Sequence, residues 1–187
     1  MPFVDQLAGA NRALITAEYG EIRDIEAAKR FGARFIQEFS YWGWKSCAIA
    51  CVMMVLKSEG LYEGNIFDLI SEGLLINGYA FKNLRGRKNI GWKHESLCRL
   101  MKVRGLNAKT FRNKSARELA AMLENGSYVI ASIRSKTGGH MILLTGLSGD
   151  DFFFNDPFIY GGGGENKKIS MNEFDKIFLG GGIEVWK

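Results

Sequence analysis

Ser46-Cys47-Ala48-Ile49-Ala50-Cys51-Val52-Met53-Met54-Val55-Leu56 is an uncharged, apolar run that opens on a small hydroxyl residue and closes near Gly60. It is too short to span a membrane, which takes about 20 residues, and long enough for a buried helix. Ser46 reads as its N-cap and Gly60 as its stop. A thiol in the first turn of such a helix meets unpaired N–H groups and the positive end of the helix dipole, which favour thiolate. Cys47 is therefore a candidate nucleophile, although free cysteines are among the most buried residues and a packed, inert thiol remains open for it. Cys51, one turn further in, and Cys98, inside a later helix, read as core thiols.

Around this run the chain divides into helices first and strands afterwards. Glu21 to Phe39 places Ile22, Ile25, Ala28, Phe31, Phe35, Ile36 and Phe39 at helical spacing, followed by an aromatic loop, Ser40 to Lys45. Further helices are expected over Asn65–Ile76, His94–Val103 and from Ser115, where Glu118 completes a capping-box pattern. Leu106 to Phe111 suits a short strand. Tyr128–Ile133, His140–Leu147, Phe152–Asn155 and Ile183–Trp186 are β-branched and aromatic runs parted by Gly, Asn and Asp, which read as strands. The expected fold class is α+β, with N-terminal helices packed on a C-terminal antiparallel sheet.

A thiolate nucleophile needs a base, and the chain has only two histidines. His140 follows Gly138-Gly139 and opens a strand, a better position for chemistry than that of His94, whose basic amphipathic helix suggests a surface role. The strand from His140 turns near Ser148-Gly149-Asp150 and returns to Asp156. A three-residue loop would place position 142 opposite 156, making His140 and Asp156 diagonal neighbours on one face, whereas an even-length loop would put Asn155 there instead.

Ser46-Cys47-Ala48 with the run after it, Gly139-His140-Met141-Ile142-Leu143-Leu144-Thr145-Gly146, and Asn155-Asp156-Pro157 together resemble the papain-like cysteine peptidases, in particular the bacterial bacteriocin-processing, double-glycine leader peptidases. The resemblance implies a papain-like fold over residues 35–187, leaving 1–34 as a partly helical N-terminal extension. It implies a thiol protease, a hydrolase acting through a thioester acyl-enzyme, with Cys47 as nucleophile, His140 as base, and Asp156 orienting the imidazole in a catalytic triad. It also implies a glutamine upstream of the nucleophile as oxyanion donor, for which Gln37 is the nearest candidate. Two departures stand out: Ala48 follows the nucleophile where the family usually has Gly, and Gln37 lies ten residues before Cys47. An acyltransferase of the same fold is a second reading, and a non-catalytic binding module a third. The resemblance implies a peptide or protein substrate, Gly-rich at the cleavage site; an acidic one is the alternative that the basic stretch Lys82 to Glu118 raises.

Composition supports one globular domain: 187 residues, 47% apolar and 24% charged, with 23 Gly and 2 Pro, exclude disorder, collagen and coiled coil. Three cysteines make no disulfide framework, so reduced thiols are expected. Met1 to Gln6 lacks the basic and apolar segments of a secretory signal, so the expectation is a cytoplasmic chain without membrane contact, or alternatively an effector exported without a cleavable signal. No cofactor or metal is expected. Cys47 and Cys51 with a histidine supply too few ligands at the usual spacings, and Gly161-Gly162-Gly163-Gly164 lacks the Gly-Lys-Ser/Thr of a phosphate loop, reading instead as a mobile rim. Trp42 and Trp44 could line a cleft or anchor the core. The net charge of +5 is uneven, since Lys82 to Glu118 holds twelve Lys or Arg against Glu95 and Glu118. No nucleic-acid motif accompanies that segment, which leaves a solvated basic face or a contact surface for acidic partners.

Overall fold

The computed structural model describes residues 1–82, 88–136 and 138–187. After a 3-10 turn at Arg12–Leu14, the chain forms α1 (Ile25–Phe31), α2 (Ile36–Gly43), α3 (Cys47–Ser58), α4 (Ile66–Leu75), β1 (Tyr79–Lys82), β2 (Lys88–Trp92) and α5 (His94–Lys102). It continues through β3 (Asn107–Phe111), α6 (Ala116–Glu124), β4 (Tyr128–Ser135), β5 (Gly138–Ser148), β6 (Asp151–Asp156), β7 (Gly164–Ser170), α7 (Met171–Ile177) and β8 (Phe178–Trp186). Strands β3-β8-β4-β5-β6-β7, in that spatial order, form one antiparallel sheet, and β1 pairs with β2 in a separate hairpin. The class is α+β.

The apolar run forms α3 and is buried without interruption from Ala48 to Leu56, as a helix apolar on every side must be. It covers one face of the sheet, where Ile130, Met141, Leu143, Ile183 and Val185 join its core. The alternate residues Val129, Ala131, Ile133, Ile142 and Leu144 face the other way and pack against Leu119, Ala120 and Phe174 of α6 and α7. The sheet thus carries helices on both faces, one layer more than the expected helices-on-sheet arrangement. Strands apolar on both sides require this second cover.

Two expectations about the N-terminal half change. The helix expected over Glu21–Phe39 is broken: Asp24 caps α1 by accepting from the Ala27 N–H at 2.9 Å, and Gly32 ends it with a φ of +89°, a left-handed cap that glycine adopts without Cβ strain. The aromatic loop then turns out to be mostly helix, since α2 runs to Gly43. Residues 1–34, which include α1, pack on the rest of the chain: Val4, Leu7, Ala10, Ile22, Ala27, Ala28 and Phe31 are buried in one core with α3.

Asn65 opens α4 by accepting from the Asp68 N–H at 2.9 Å, and Ser115 and Glu118 form the expected capping box on α6. No single helix among the described residues is long and apolar enough to cross a membrane. Arg85 and Arg87 of the basic segment lie outside the described residues.

Candidate active site

Cys47 starts α3, half-buried at the point where β5 begins. Ser46 occupies the N-cap position but does not cap the helix. Its hydroxyl turns away to donate to the Gln6 carbonyl at 3.2 Å and to share the Gly43 carbonyl at 3.1 Å. The first-turn N–H groups beside Cys47 are therefore left without a Ser46 cap, a ready site for negative charge.

The β5–β6 hairpin brings His140 and Asp156 together by a route the loop length alone does not reveal. Ser148 pairs with Asp151, so the loop has two residues, Gly149 and Asp150. By that count Asn155 would share a face with His140. A β-bulge between Leu144 and Gly146 inserts Thr145 as one extra residue, and beyond it Leu143 pairs with Asn155. The shift sets position 142 opposite 156, and His140 Nε2 meets Asp156 Oδ1 at 2.6 Å. Asn155 is turned inward and 3% exposed, its amide directed at Met54 Sδ of α3 and its oxygen accepting from the Asn166 N–H at 2.7 Å.

With Nε2 engaged by Asp156, Nδ1 is the ring nitrogen left for Cys47, and the thiol and imidazole are hydrogen-bonded. Burial on its own would push the Cys47 thiol up. The hydrogen bond and charge of His140, with the N–H groups of Met141 and Ala48, outweigh burial and hold it below its ordinary 9.0. Burial likewise works against a charged His140, but hydrogen bonds to Asp156 and Cys47 and their negative charges raise its pKa to about 10. The favoured state is a thiolate–imidazolium pair, the form in which sulfur is nucleophilic and the imidazole carries a proton to give.

The other thiols behave differently. Cys51 is fully buried, its Sγ 3.5 Å from the Met141 carbonyl, and burial pushes it well above the ordinary value; burial pushes Cys98 up to about 11. Iodoacetamide at neutral pH is expected to modify Cys47 at least about tenfold faster than Cys51 or Cys98, as peptide mapping by mass spectrometry would register. Equal labelling of the three would contradict the ion pair.

A cleft of about 430 Å³ opens over the cysteine, lined by the N-terminal arm (Gln6, Glu18, Tyr19), Trp44, the β4–β5 hairpin, and Phe158 and Tyr160 after Asp156. Gln37 is not part of it. It is exposed on α2 and lines a separate hollow with Ile36, Ser40 and Tyr41. The glutamine in the cleft is Gln6, 3% exposed and held at three points. Its N–H donates to the Pro157 carbonyl at 2.9 Å, its side-chain Nε2 to Gly43 at 3.1 Å, and its carbonyl accepts from Ser46. Its Oε1 is a buried side-chain oxygen without a hydrogen-bond partner among the described residues. No local signal in the sequence marks Gln6, because the contact that places it spans 40 residues, from the arm to Ser46.

A family model described as papain-like cysteine protease AvrRpt2 matches residues 35–178. The chain belongs to that papain-like cysteine protease family. Solved structures with a similar fold include a putative C39-like peptidase from Bacillus anthracis (16% identity, 76% of this chain and 89% of that one, TM-score 0.55). The peptidase domain of Streptococcus ComA, a bi-functional ABC transporter involved in quorum sensing, is 14% identical over 76% of this chain and 90% of its own, with a TM-score of 0.54. A double glycine motif protease from an AMS/PCAT transporter, in complex with its leader peptide, is 20% identical over 75% and 81%, with a TM-score of 0.51. No curated protein matches the chain.

In this papain-like protease, Trp44 and Trp42 part company. Trp44 borders the cleft, packs against Tyr19 and Phe158, and ties down the arm by donating from Nε1 to the Gly20 carbonyl at 2.8 Å. Trp42 belongs to an aromatic cluster with Tyr79 and Trp92, away from the lining. His94 is half-buried and paired with Ser132 Oγ at 3.1 Å, also outside the cleft. No group of three or more His, Cys, Asp or Glu among the described residues could hold a metal ion.

The glycine run has a structural task at Gly163. A Cβ there would collide with the Phe158 carbonyl and stand 2.7 Å from Asp156 Cγ. Gly163→Ala is therefore expected to displace Asp156 and lower kcat/KM by roughly 10–100-fold, since a misplacement near 1 Å can cost about that much. Gly162→Ala, strained at its φ of +86° but meeting no atom within 4 Å, is the control. Equal losses in both variants would trace the effect to the loop rather than to Asp156.

Proposed function

We propose that this cysteine peptidase hydrolyses peptide bonds through Cys47, His140 and Asp156, with Gln6 and the Cys47 backbone N–H as oxyanion donors. The observation that carries the reading is the imidazole anchored by Asp156 at 2.6 Å and hydrogen-bonded to the thiol at the mouth of α3. The Cys47 thiolate attacks the substrate carbonyl carbon, and the carbonyl oxygen takes up the negative charge. Gln6 fits the donor role because one N–H of its amide is held by Gly43, which fixes the group, while a second N–H remains for the oxyanion. Collapse breaks the C–N bond. His140 passes its proton to the departing amine, leaving a thioester on Cys47 and a neutral imidazole. That imidazole then takes a proton from water as the oxygen attacks the thioester; collapse releases the carboxylic acid and restores the thiolate–imidazolium pair.

The substrate in this reading is an extended peptide or protein segment, since the cleft takes only a few residues. Likeness to a double glycine motif protease supports glycine near the scissile bond. Incubating the protein with a peptide library and reading products by mass spectrometry tests the reaction, with iodoacetamide-treated protein as control. Paired fragments with new amino and carboxyl termini, absent after alkylation, are expected. Fragments joined to an added amine would instead indicate acyl transfer, and unaltered peptides would overturn the peptidase assignment.

A further inference from the structure

The basic segment, left open as a solvated face or a contact surface for acidic partners, does not reach the cleft. None of its described residues is on the lining. Several of its charges are already matched, Arg104 by Glu72 at 2.6 Å, Lys109 by Glu184 at 3.0 Å and Lys114 by Glu118 at 2.6 Å. Two cations that sequence reasoning passed over do border the cleft: Arg134 and Lys136, exposed at the end of β4. Arg134 pairs across the hairpin with Gly139, the residue before His140. Both side chains stand within the hairpin that delivers the base, and neither forms an ion pair with a described residue.

The remaining charged groups on the lining are Cys47, His140, Asp156 and Glu18. The first three are committed to one another. Glu18 belongs to the N-terminal arm, a different wall, so the cleft presents cations on the hairpin side and a carboxylate on the arm side. A peptide lying in it sends successive side chains to alternate sides, and each meets one wall or the other.

We propose, on the basis of the peptidase reading above, that Arg134 and Lys136 select substrates with Asp or Glu close to the scissile bond, at positions facing the hairpin. An acid directed at the arm meets Glu18 and gains nothing. The acidic preference then comes from two residues at the site and not from the distant basic segment. Because both cations are exposed, the attraction is screened by salt and modest per charge.

The test measures binding apart from turnover. End-labelled peptides with a central Gly-Gly pair and Glu, Gln or Lys at each flanking position in turn are titrated onto Cys47→Ala protein by fluorescence anisotropy. At one or more positions Glu is expected to bind about fivefold more tightly than Lys, a size set by one exposed charge pair. In the same protein carrying Arg134→Glu and Lys136→Glu, the order should reverse at those positions, and raising the salt should shrink both preferences. A Glu preference that survives the double reversal, or no preference in the parent, overturns the proposal. Cleavage of the same peptides by protein with Cys47 intact is read separately. Selective binding without cleavage would sink the peptidase reading while leaving the charge selection standing.

Discussion

Asp156→Asn is expected to lower kcat/KM by about 10²–10⁴-fold and to move the alkaline limb of the pH–rate profile to lower pH. Asn nearly matches Asp in shape and can still accept from the Phe158 N–H, which the carboxylate now does at 2.9 Å. What it removes is the negative charge 2.6 Å from His140 Nε2. With only 12% of the imidazole side chain exposed, burial then works against its protonation with less opposition. The sign follows from the two states. His140 titrates near 6.5 when unfolded and about 10 when folded, so its protonation stabilises the fold fully below about 6.5. That contribution fades as pH rises through about 10. On the proposed mechanism activity needs the proton on His140 and the thiolate on Cys47, so the wild-type alkaline limb is expected near the upper value. In the variant it moves down, and the thiolate loses part of its support, which pushes the Cys47 thiol up and narrows the active range from both sides. Rate profiles from pH 5 to 11 on one cleaved peptide would check this. A variant profile of unchanged shape, merely scaled down, would show that Asp156 acts through geometry alone.

The pairing of His140 with Asp156 also shows how far the residue pattern goes and where it stops. The strand periodicity and the caps at Asn65 and Ser115 rest on local signals, and the local structure follows them, whereas Ser46 turns its hydroxyl to the Gln6 and Gly43 carbonyls and leaves α3 uncapped. The register of β5 against β6 does not follow local signals either. A two-residue turn fits Gly149-Asp150 well, yet by itself it would have turned Asp156 to the opposite face. The correction comes from the bulge at Thr145, whose sequence neighbours carry no bulge signal beyond Gly146. Likewise Gly32, in a stretch of continuous helical spacing, decides that Glu21–Phe39 is two helices, because its left-handed conformation closes α1. Strand β7, Gly164-Glu165-Asn166-Lys167-Lys168-Ile169-Ser170, has no apolar alternation to announce it. It exists because β6 offers it an edge, pairing Phe152 with Ile169 and Phe154 with Lys167.

Gln6 lies furthest beyond local reach, and the second large effect follows from it. Gln6→Ala is expected to lower kcat by about 10²–10³-fold, the usual consequence of removing one oxyanion donor, whereas Gln37→Ala on the outer face of α2 should leave it within about twofold. The two glutamines answer different questions. An oxyanion donor acts only once the carbonyl has been attacked, so its loss falls on kcat and leaves thiolate formation untouched. The rate of Cys47 alkylation by iodoacetamide should therefore be the same in Gln6→Ala as in the wild type, while peptide turnover collapses. Gln6 also carries backbone bonds to Pro157 and Ser46, which the substitution keeps, and one side-chain bond to Gly43, which it loses. That loss should cost about 0.5–1.5 kcal/mol, visible as a small fall in Tm. If alkylation slows in parallel with turnover, the arm is supporting the ion pair and not the oxyanion. If Gln37→Ala shows the larger loss, the donor lies on α2 after all. On the proposed mechanism the arm then matters for more than packing: Gln6 reaches the cleft only because the first residues of the chain are docked against Ser46 and Pro157, so the proposed oxyanion site is complete only in that docked state.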